Sequence, residues 1–145
     1  MFKHILVPSD GSQLSQNAAL KAIVLAKSES ARITAVTVTP PFRAAAGEFV
    51  MTGNTEELYN EACADRAADY LDFIRNAAEA AGVVAHGMHV FHEQPYAAII
   101  EAARENNCDL ICMASHGRKG VSALVMGSET VKVLTHTTLP VLVWR

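Results

Sequence analysis

Two stretches carry residue types that can do chemistry at a backbone turn. The first is Ala114-Ser115-His116-Gly117-Arg118-Lys119-Gly120, followed after a short apolar piece by Gly127-Ser128-Glu129-Thr130. It begins where an aliphatic run ends and finishes where a helical pattern starts. Glycines at such a junction permit positive φ and let main-chain N–H groups come close to a ligand. Gly127-Ser128 leads into a helix whose first N–H groups lack internal partners, and with the helix dipole they make a phosphate site. The Ser128 hydroxyl could donate there too, and Arg118 and Lys119 add positive charge beside it. A plainer role is open to the same residues: Gly117 and Gly120 turn the chain, and Ser128 is an ordinary N-cap.

The second stretch is Pro8-Ser9-Asp10-Gly11-Ser12. It also follows an aliphatic run, so Asp10 adjoins the glycine segment if the two runs are neighbouring strands. A carboxylate there could accept from a ribose hydroxyl or hold a magnesium ion through water. Asp10 or Ser12 could equally cap the helix that follows.

The elements that must position these residues alternate in kind. Short apolar runs are Ile5-Leu6-Val7, Arg32 to Val38, Val83 to Val90, Leu110 to Met113 and Val141-Leu142-Val143. Between them lie Ala-rich stretches with apolar residues three or four apart. Ser12 to Lys27 carries Leu14, Ala18, Ala22 and Leu25; Glu56 to Ala81 carries Leu58, Ala62, Ala67, Leu71 and Ile74. Pro95 to Asn106 carries Ile99, Ile100 and Ala103, and Ser128 to His136 carries Val131 and Leu134. This alternation predicts βαβ units, five strands and four helices, with a parallel sheet covered on both faces. Asn54 with Glu57 reads as a capping box, Gly82 as a helix terminator and Pro95 as a first helical residue. Sheets of this kind bind ligands at the carboxyl ends of their strands, where both chemical stretches lie. The irregular stretch from Thr39 to Gly53 reads as a mobile loop, either a lid or a plain crossover.

Composition narrows the classes. The chain has 145 residues, 50% hydrophobic and 19% charged, with a net charge of −3. That suits one domain, excludes a disordered chain and gives no electrostatic reason to expect a nucleic-acid partner. No apolar run is long enough for a membrane span, and the opening residues break too early for a signal peptide. Three cysteines without close pairing point to a reducing compartment, so a cytoplasmic protein is expected.

Both ends of the chain resemble a known family. Lys3-His4-Ile5-Leu6-Val7-Pro8-Ser9-Asp10-Gly11-Ser12 is similar to the start of universal stress protein domains. Ala114-Ser115-His116-Gly117, nine residues, Gly127-Ser128, and then Leu139-Pro140-Val141-Leu142-Val143 resemble their C-terminal half. The ATP-binding branch carries Gly, two residues, Gly, nine residues, Gly, then Ser or Thr. Here Gly117, Gly127 and Ser128 match, and Ala114 takes the first glycine's place. At positive φ an alanine there would cost about 1–2 kcal/mol, but a residue directly after a strand is expected to be extended and to accept the methyl. The resemblance implies a single doubly wound, Rossmann-like α/β domain with strand order 3-2-1-4-5. It implies that Pro8, Ser9, Asp10 and the Val38 backbone border the nucleoside. Ala114 to Gly120 and Ser128 to Thr130 would then enclose ribose and phosphates of ATP, with Mg near Asp10. It further implies a homodimer; an apolar strand such as Val141-Leu142-Val143 at a sheet edge also invites self-pairing across a two-fold axis.

Weaker signals read as structure. His86 and His89 fall on opposite faces of a strand, which argues against a metal site with His92. Cys108 and Cys112 share a face by strand parity and read, with Cys63, as small buried hydrophobes. No His-x-Gly-His, no Ser-Gly-Gly-x-Asp-Ser and no paired general base is present, so any ATP hydrolysis would be slow. The companions of a phosphoacceptor aspartate are missing too. The expected protein is an ATP-binding, dimeric regulator of the stress response. The alternatives are an interaction dimer with a vestigial pocket and a slow ATP hydrolase.

Overall fold

Five strands run parallel in the order β3-β2-β1-β4-β5: His4–Pro8 (β1), Arg32–Thr39 (β2), Ala85–Phe91 (β3), Leu110–Ala114 (β4) and Val141–Trp144 (β5). Among the described residues four helices connect them: Gln13–Glu29 (α1), Glu56–Ala81 (α2), Pro95–Glu105 (α3) and Ser128–His136 (α4). These assignments come from a computed structural model, which describes residues 1–43, 55–117 and 125–145. The predicted element count, sheet type and strand order all hold. Most of the irregular stretch Thr39 to Gly53, and Arg118, Lys119 and Gly120, lie outside the described residues.

Side-chain alternation divides the core between the sheet's two faces. Ile5 and Val7 of β1, Ile33 and Ala35 of β2, and Leu110 and Cys112 of β4 pack under α1 and α2. Leu6, Val36, Ile111 and Met113 point the other way, under Ile99, Ala102 and Ala103 of α3 and Val133 of α4. The central strands are therefore buried on both sides, which explains their unbroken apolar runs. The buried alanines of α1, Ala18, Ala19, Ala22 and Ala26, leave no bulk between helix and sheet.

Several local expectations shift by one residue or one face. α2 starts at Thr55, whose side chain accepts from the Leu58 N–H at 3.3 Å, so the N-cap is Thr55 and not Asn54. The buried stripe of α2 is Tyr59, Cys63, Ala67, Leu71, Ile74 and Ala78, while Leu58 is exposed and so is Ala62. In α4 the inward residues are Thr130 and Val133, leaving Val131 and Leu134 exposed. Cys108 precedes β4 and packs on the α3 side, whereas Cys112 packs on the α1 side; strand parity did not extend back to residue 108. Gly82 ends α2 at φ +74°, and Pro95 opens α3, both as predicted.

Candidate functional site at the carboxyl edge of the sheet

β1 and β4 are direct neighbours, so the segments leaving them, Ser9–Ser12 and Ser115–Gly117, emerge side by side at the carboxyl edge of the sheet. The first is locked locally. Ser9 N–H donates to the Val36 carbonyl at 2.9 Å, and Thr37 Oγ1 donates to the Ser9 carbonyl at 3.0 Å. Asp10 Oδ1 accepts from the Ser12 N–H at 3.0 Å, an Asx turn, while Ser12 caps α1 by accepting from the Ser15 N–H at 3.2 Å. Asp10 thus shapes the turn and Ser12 is the cap. Gly11 has φ +77° and lies under the Tyr70 ring of α2; a Cβ there would come within 2.2–2.5 Å of three ring atoms. Pro8 and Asp10 are half-buried and Ser9 is buried; Val38, half-buried, sits one residue from the end of β2 and pairs with Val90.

The second segment leaves β4 in an extended path. Ala114 is the last strand residue, is buried, and is absent from the positive-φ residues, so its methyl meets no backbone obstacle. Ser115 N–H donates to the Trp144 carbonyl at 2.7 Å, which ties the segment to the end of β5. His116 is 8% exposed; its Nδ1 lies 2.9 Å from Ser115 Oγ, and its buried Nε2 has no hydrogen-bond partner among the described residues.

Neither described motif glycine uses the positive φ that its type permits. Gly117 and Gly127 are not in the positive-φ region, and Gly127 sits at φ −61°, ψ 147°. They are small because of what lies beside them. A Cβ on Gly117 would come 2.6 Å from Asp10 Oδ2, and one on Gly127 would come 3.0 Å from the Ser115 carbonyl oxygen and 3.3 Å from His116 Cα. The glycines let the three segments of the site close on one another: the Asp10 turn, the end of β4 and the start of α4.

At the start of α4, Gly127 is the N-cap and has no side chain to cap with. Its own N–H donates to the Ser115 carbonyl at 2.7 Å, and Thr130 Oγ1 donates between the Ala114 and Ser115 carbonyls, 3.1 and 3.2 Å away. The helix start is thus bolted to the strand end, while its leading main-chain amides are left without a side-chain acceptor from the cap. Such an end attracts anions. Ser128 is exposed beside it. Glu129 turns elsewhere: Oε2 accepts from the Tyr96 N–H at 2.9 Å and Oε1 lies 3.3 Å from Lys132 Nζ. That contact, and the Tyr70 ring over Gly11, were not legible in the sequence, since nothing in residue order brings Tyr96 to Glu129 or Tyr70 to Gly11.

Asp10 is the carboxylate at this edge, and among the described residues no three His, Cys, Asp or Glu side chains converge as a metal site. The histidines flagged in the sequence are dispersed: His89 Nε2 lies 2.8 Å from Thr39 Oγ1, His92 accepts from the Gln94 N–H, and His86 is exposed. Burial pulls His89 below the ordinary imidazole range.

A doubly wound domain of this strand order has counterparts among known proteins. The model of the universal stress protein family matches residues 1–145, and the chain belongs to that family. A universal stress protein of Methanocaldococcus jannaschii is 31% identical over 145 residues, 99% of this chain and 82% of that protein. Among solved structures, a hypothetical protein whose biochemical function was assigned from its structure superposes with a TM-score of 0.83 at 23% identity, covering 99% of this chain and 95% of its own. A universal stress protein in complex with cAMP follows at 0.67 and 21%, covering 99% and 97%. The Archaeoglobus fulgidus universal stress protein in complex with dAMP gives 0.68 and 16%, covering 99% and 98%. At these identities the structural likenesses establish a common fold. No helix among the described residues is long and apolar enough to cross a membrane.

Proposed function

We propose that this chain is an adenine-nucleotide-binding universal stress protein, with ATP as its ligand, working as a regulator in the stress response and not as a vigorous catalyst. One observation carries the reading. The amino end of α4, without a side-chain cap, is fastened to the end of β4 next to the Asp10 turn, at a junction where a Cβ on Gly117 or Gly127 would crowd its neighbours. An extended triphosphate would meet main-chain N–H groups of residues 128–130, with His116 Nε2, which has no partner among the described residues, as a further donor or acceptor. Pro8, Ser9 and the Val38 backbone would border the nucleoside, Asp10 the ribose, and Ala114, Ser115 and Gly117 the ribose–phosphate junction. Arg118, Lys119 and Gly120 would continue that wall. Mg, where present, would be held mainly by the phosphates, with Asp10 reaching it through water. The cAMP and dAMP complexes of the structural neighbours support an adenylate ligand.

The test is calorimetric titration of ATP onto nucleotide-free protein, paired with nucleotide analysis of freshly purified material. Saturable heat at one site per chain is expected. No heat and no co-purified nucleotide would overturn the reading.

We also propose a homodimer through β5. Val141, Leu142 and Val143 are half-buried on an edge strand whose outer side lacks a partner strand in the sheet, and pairing with a second copy across a two-fold axis would cover it. Sedimentation at tens of micromolar should give the dimer mass; a monomer there would remove this part of the proposal.

A further inference from the structure

The amino ends of α3 and α4 are both without side-chain caps of their own, yet they are treated differently. α3 has Gln94 at its N-cap with no side-chain hydrogen bond, and Pro95 next, which has no N–H to satisfy. The first N–H of that helix belongs to Tyr96, and it is taken by Glu129 from α4 at 2.9 Å. Glu129 is the second residue of α4. A carboxylate there ordinarily settles on its own helix's positive end, where it would compete with any anion bound at residues 128–130. Here it is drawn across to the positive end of the neighbouring helix instead and is flanked by Lys132. The same tyrosine is held a second time, its ring 4.9 Å from the His136 ring and 5.6 Å from Lys132 Nζ. Tyr96 therefore meets the first and the last turn of α4.

We infer that Glu129 is a positioning residue for the anion site: by capping α3 through the Tyr96 N–H it fixes the first turn of α4 and keeps its own charge away from that turn. The inference rests on the nucleotide reading above for its ligand, but not for its geometry. It also separates Glu129 from residues whose side chains would touch the nucleotide; what Glu129 offers a ligand is its main-chain N–H.

Glu129→Gln and Glu129→Ala distinguish the parts of this claim, since glutamine keeps an acceptor for Tyr96 and loses the charge, while alanine loses both. The first readout is backbone NMR of the full chain without ligand. In Glu129→Ala, Tyr96 amide exchange should accelerate tenfold or more, and the amide shifts of residues 128 and 130 should move; in Glu129→Gln both should stay near wild type, since one hydrogen bond of this kind is worth about a factor of ten. The second readout is ATP titration. Glu129→Gln should bind as tightly as wild type or up to about threefold tighter, and Glu129→Ala about fivefold weaker although it too has lost a negative charge. Unchanged Tyr96 protection in Glu129→Ala would overturn the cap. Equal tightening in both variants would overturn positioning and leave charge alone as the effect. A wild-type chain that binds no ATP would sink the nucleotide reading only; the amides of residues 96, 128 and 130 would still decide the positioning.

Discussion

Gly127→Ala is the smallest perturbation that probes the joint between β4 and α4. The backbone there, at φ −61° and ψ 147°, is open to any residue, so alanine brings no conformational penalty. What it brings is a methyl group 3.0 Å from the Ser115 carbonyl oxygen and 3.3 Å from His116 Cα. Both neighbours are main chain and are held from other sides. Ser115 N–H donates to Trp144 at 2.7 Å, and Thr130 binds the Ala114 and Ser115 carbonyls. They cannot swing aside as a side chain would, so the start of α4 must withdraw by a few tenths of an ångström. That stretches the 2.7 Å bond from Gly127 N–H to Ser115. Overpacking of this order costs about 1–3 kcal/mol, and the weakened hydrogen bond adds up to ~1 kcal/mol. A destabilisation near 2 kcal/mol is expected, seen as a fall in Tm of roughly 4–8 °C. Because the withdrawn turn carries the amides proposed to meet the phosphates, ATP affinity should fall as well, by about tenfold for alanine, the equivalent of about 1.4 kcal/mol. Gly127→Val, bulkier at the same point, should abolish ATP binding while the chain remains folded. Urea denaturation and calorimetric titration on one preparation read both effects. Wild-type stability together with wild-type affinity in Gly127→Ala would refute the idea that this joint builds the site.

Three other outcomes follow from single residues. Gly11→Ala should cost more than ~2 kcal/mol, because a positive-φ penalty of about 1–2 kcal/mol adds to displacement of the Tyr70 ring, and a denaturation midpoint within error of wild type would contradict it. Burial, with the Arg32 charge second, holds buried His4 below the usual imidazole range, and burial does the same to His89. The unfolded chain then binds more protons below about pH 6.5, so the stability these neutral rings carry is present above that pH and lost as pH falls, by at most ~1.4 kcal/mol per pH unit for each ring. Urea midpoints from pH 7.5 to 5 should show this slope, and His4→Gln should flatten it; a slope that His4→Gln leaves unaltered would exclude His4. Finally, burial pushes the Cys108 and Cys112 thiols up to about 11, even though Cys112 Sγ accepts from the Trp144 indole N–H at 3.0 Å. At pH 8 roughly one thiol in a thousand is then thiolate, so neither should react with a thiol reagent until the protein unfolds. Rapid labelling of either in the native state would show the packing to be looser than described.

How much of this was legible in the sequence depended on whether the information was local. The strands and the bounds of Glu56–Ala81 and Ser128–His136 could be read because each element carries its own period and its own punctuation, as Gly82 and Pro95 show. The face a residue takes was less secure. Leu58 and Val131 look like core by type, but Tyr59 and Thr130 occupy the inward positions, because the helix phase is set by the sheet beneath it. Cys108 was placed by a strand alternation that had not yet begun at that residue. The site followed the same division. Asp10 beside the glycine segment followed from the strand order that the family resemblance implied, whereas the reason for the glycines could not be read. A glycine required by positive φ and one required by a close neighbour look identical in sequence, and among the described residues only Gly11 and Gly82 are of the first kind. The diversion of Glu129 to Tyr96 is likewise invisible until two helices are set side by side.

Asp10 and Gly117 stand about a hundred positions apart in the chain and come together only because β1 and β4 are joined in the middle of the sheet. No short fragment of this polypeptide holds both halves of the site. During refolding, long-range strand pairing must precede any capacity to hold a ligand, and such pairing is slow compared with helix formation. Ligand capture would therefore mark completion of the central strand pair, so recovery of binding should trail the return of helical signal.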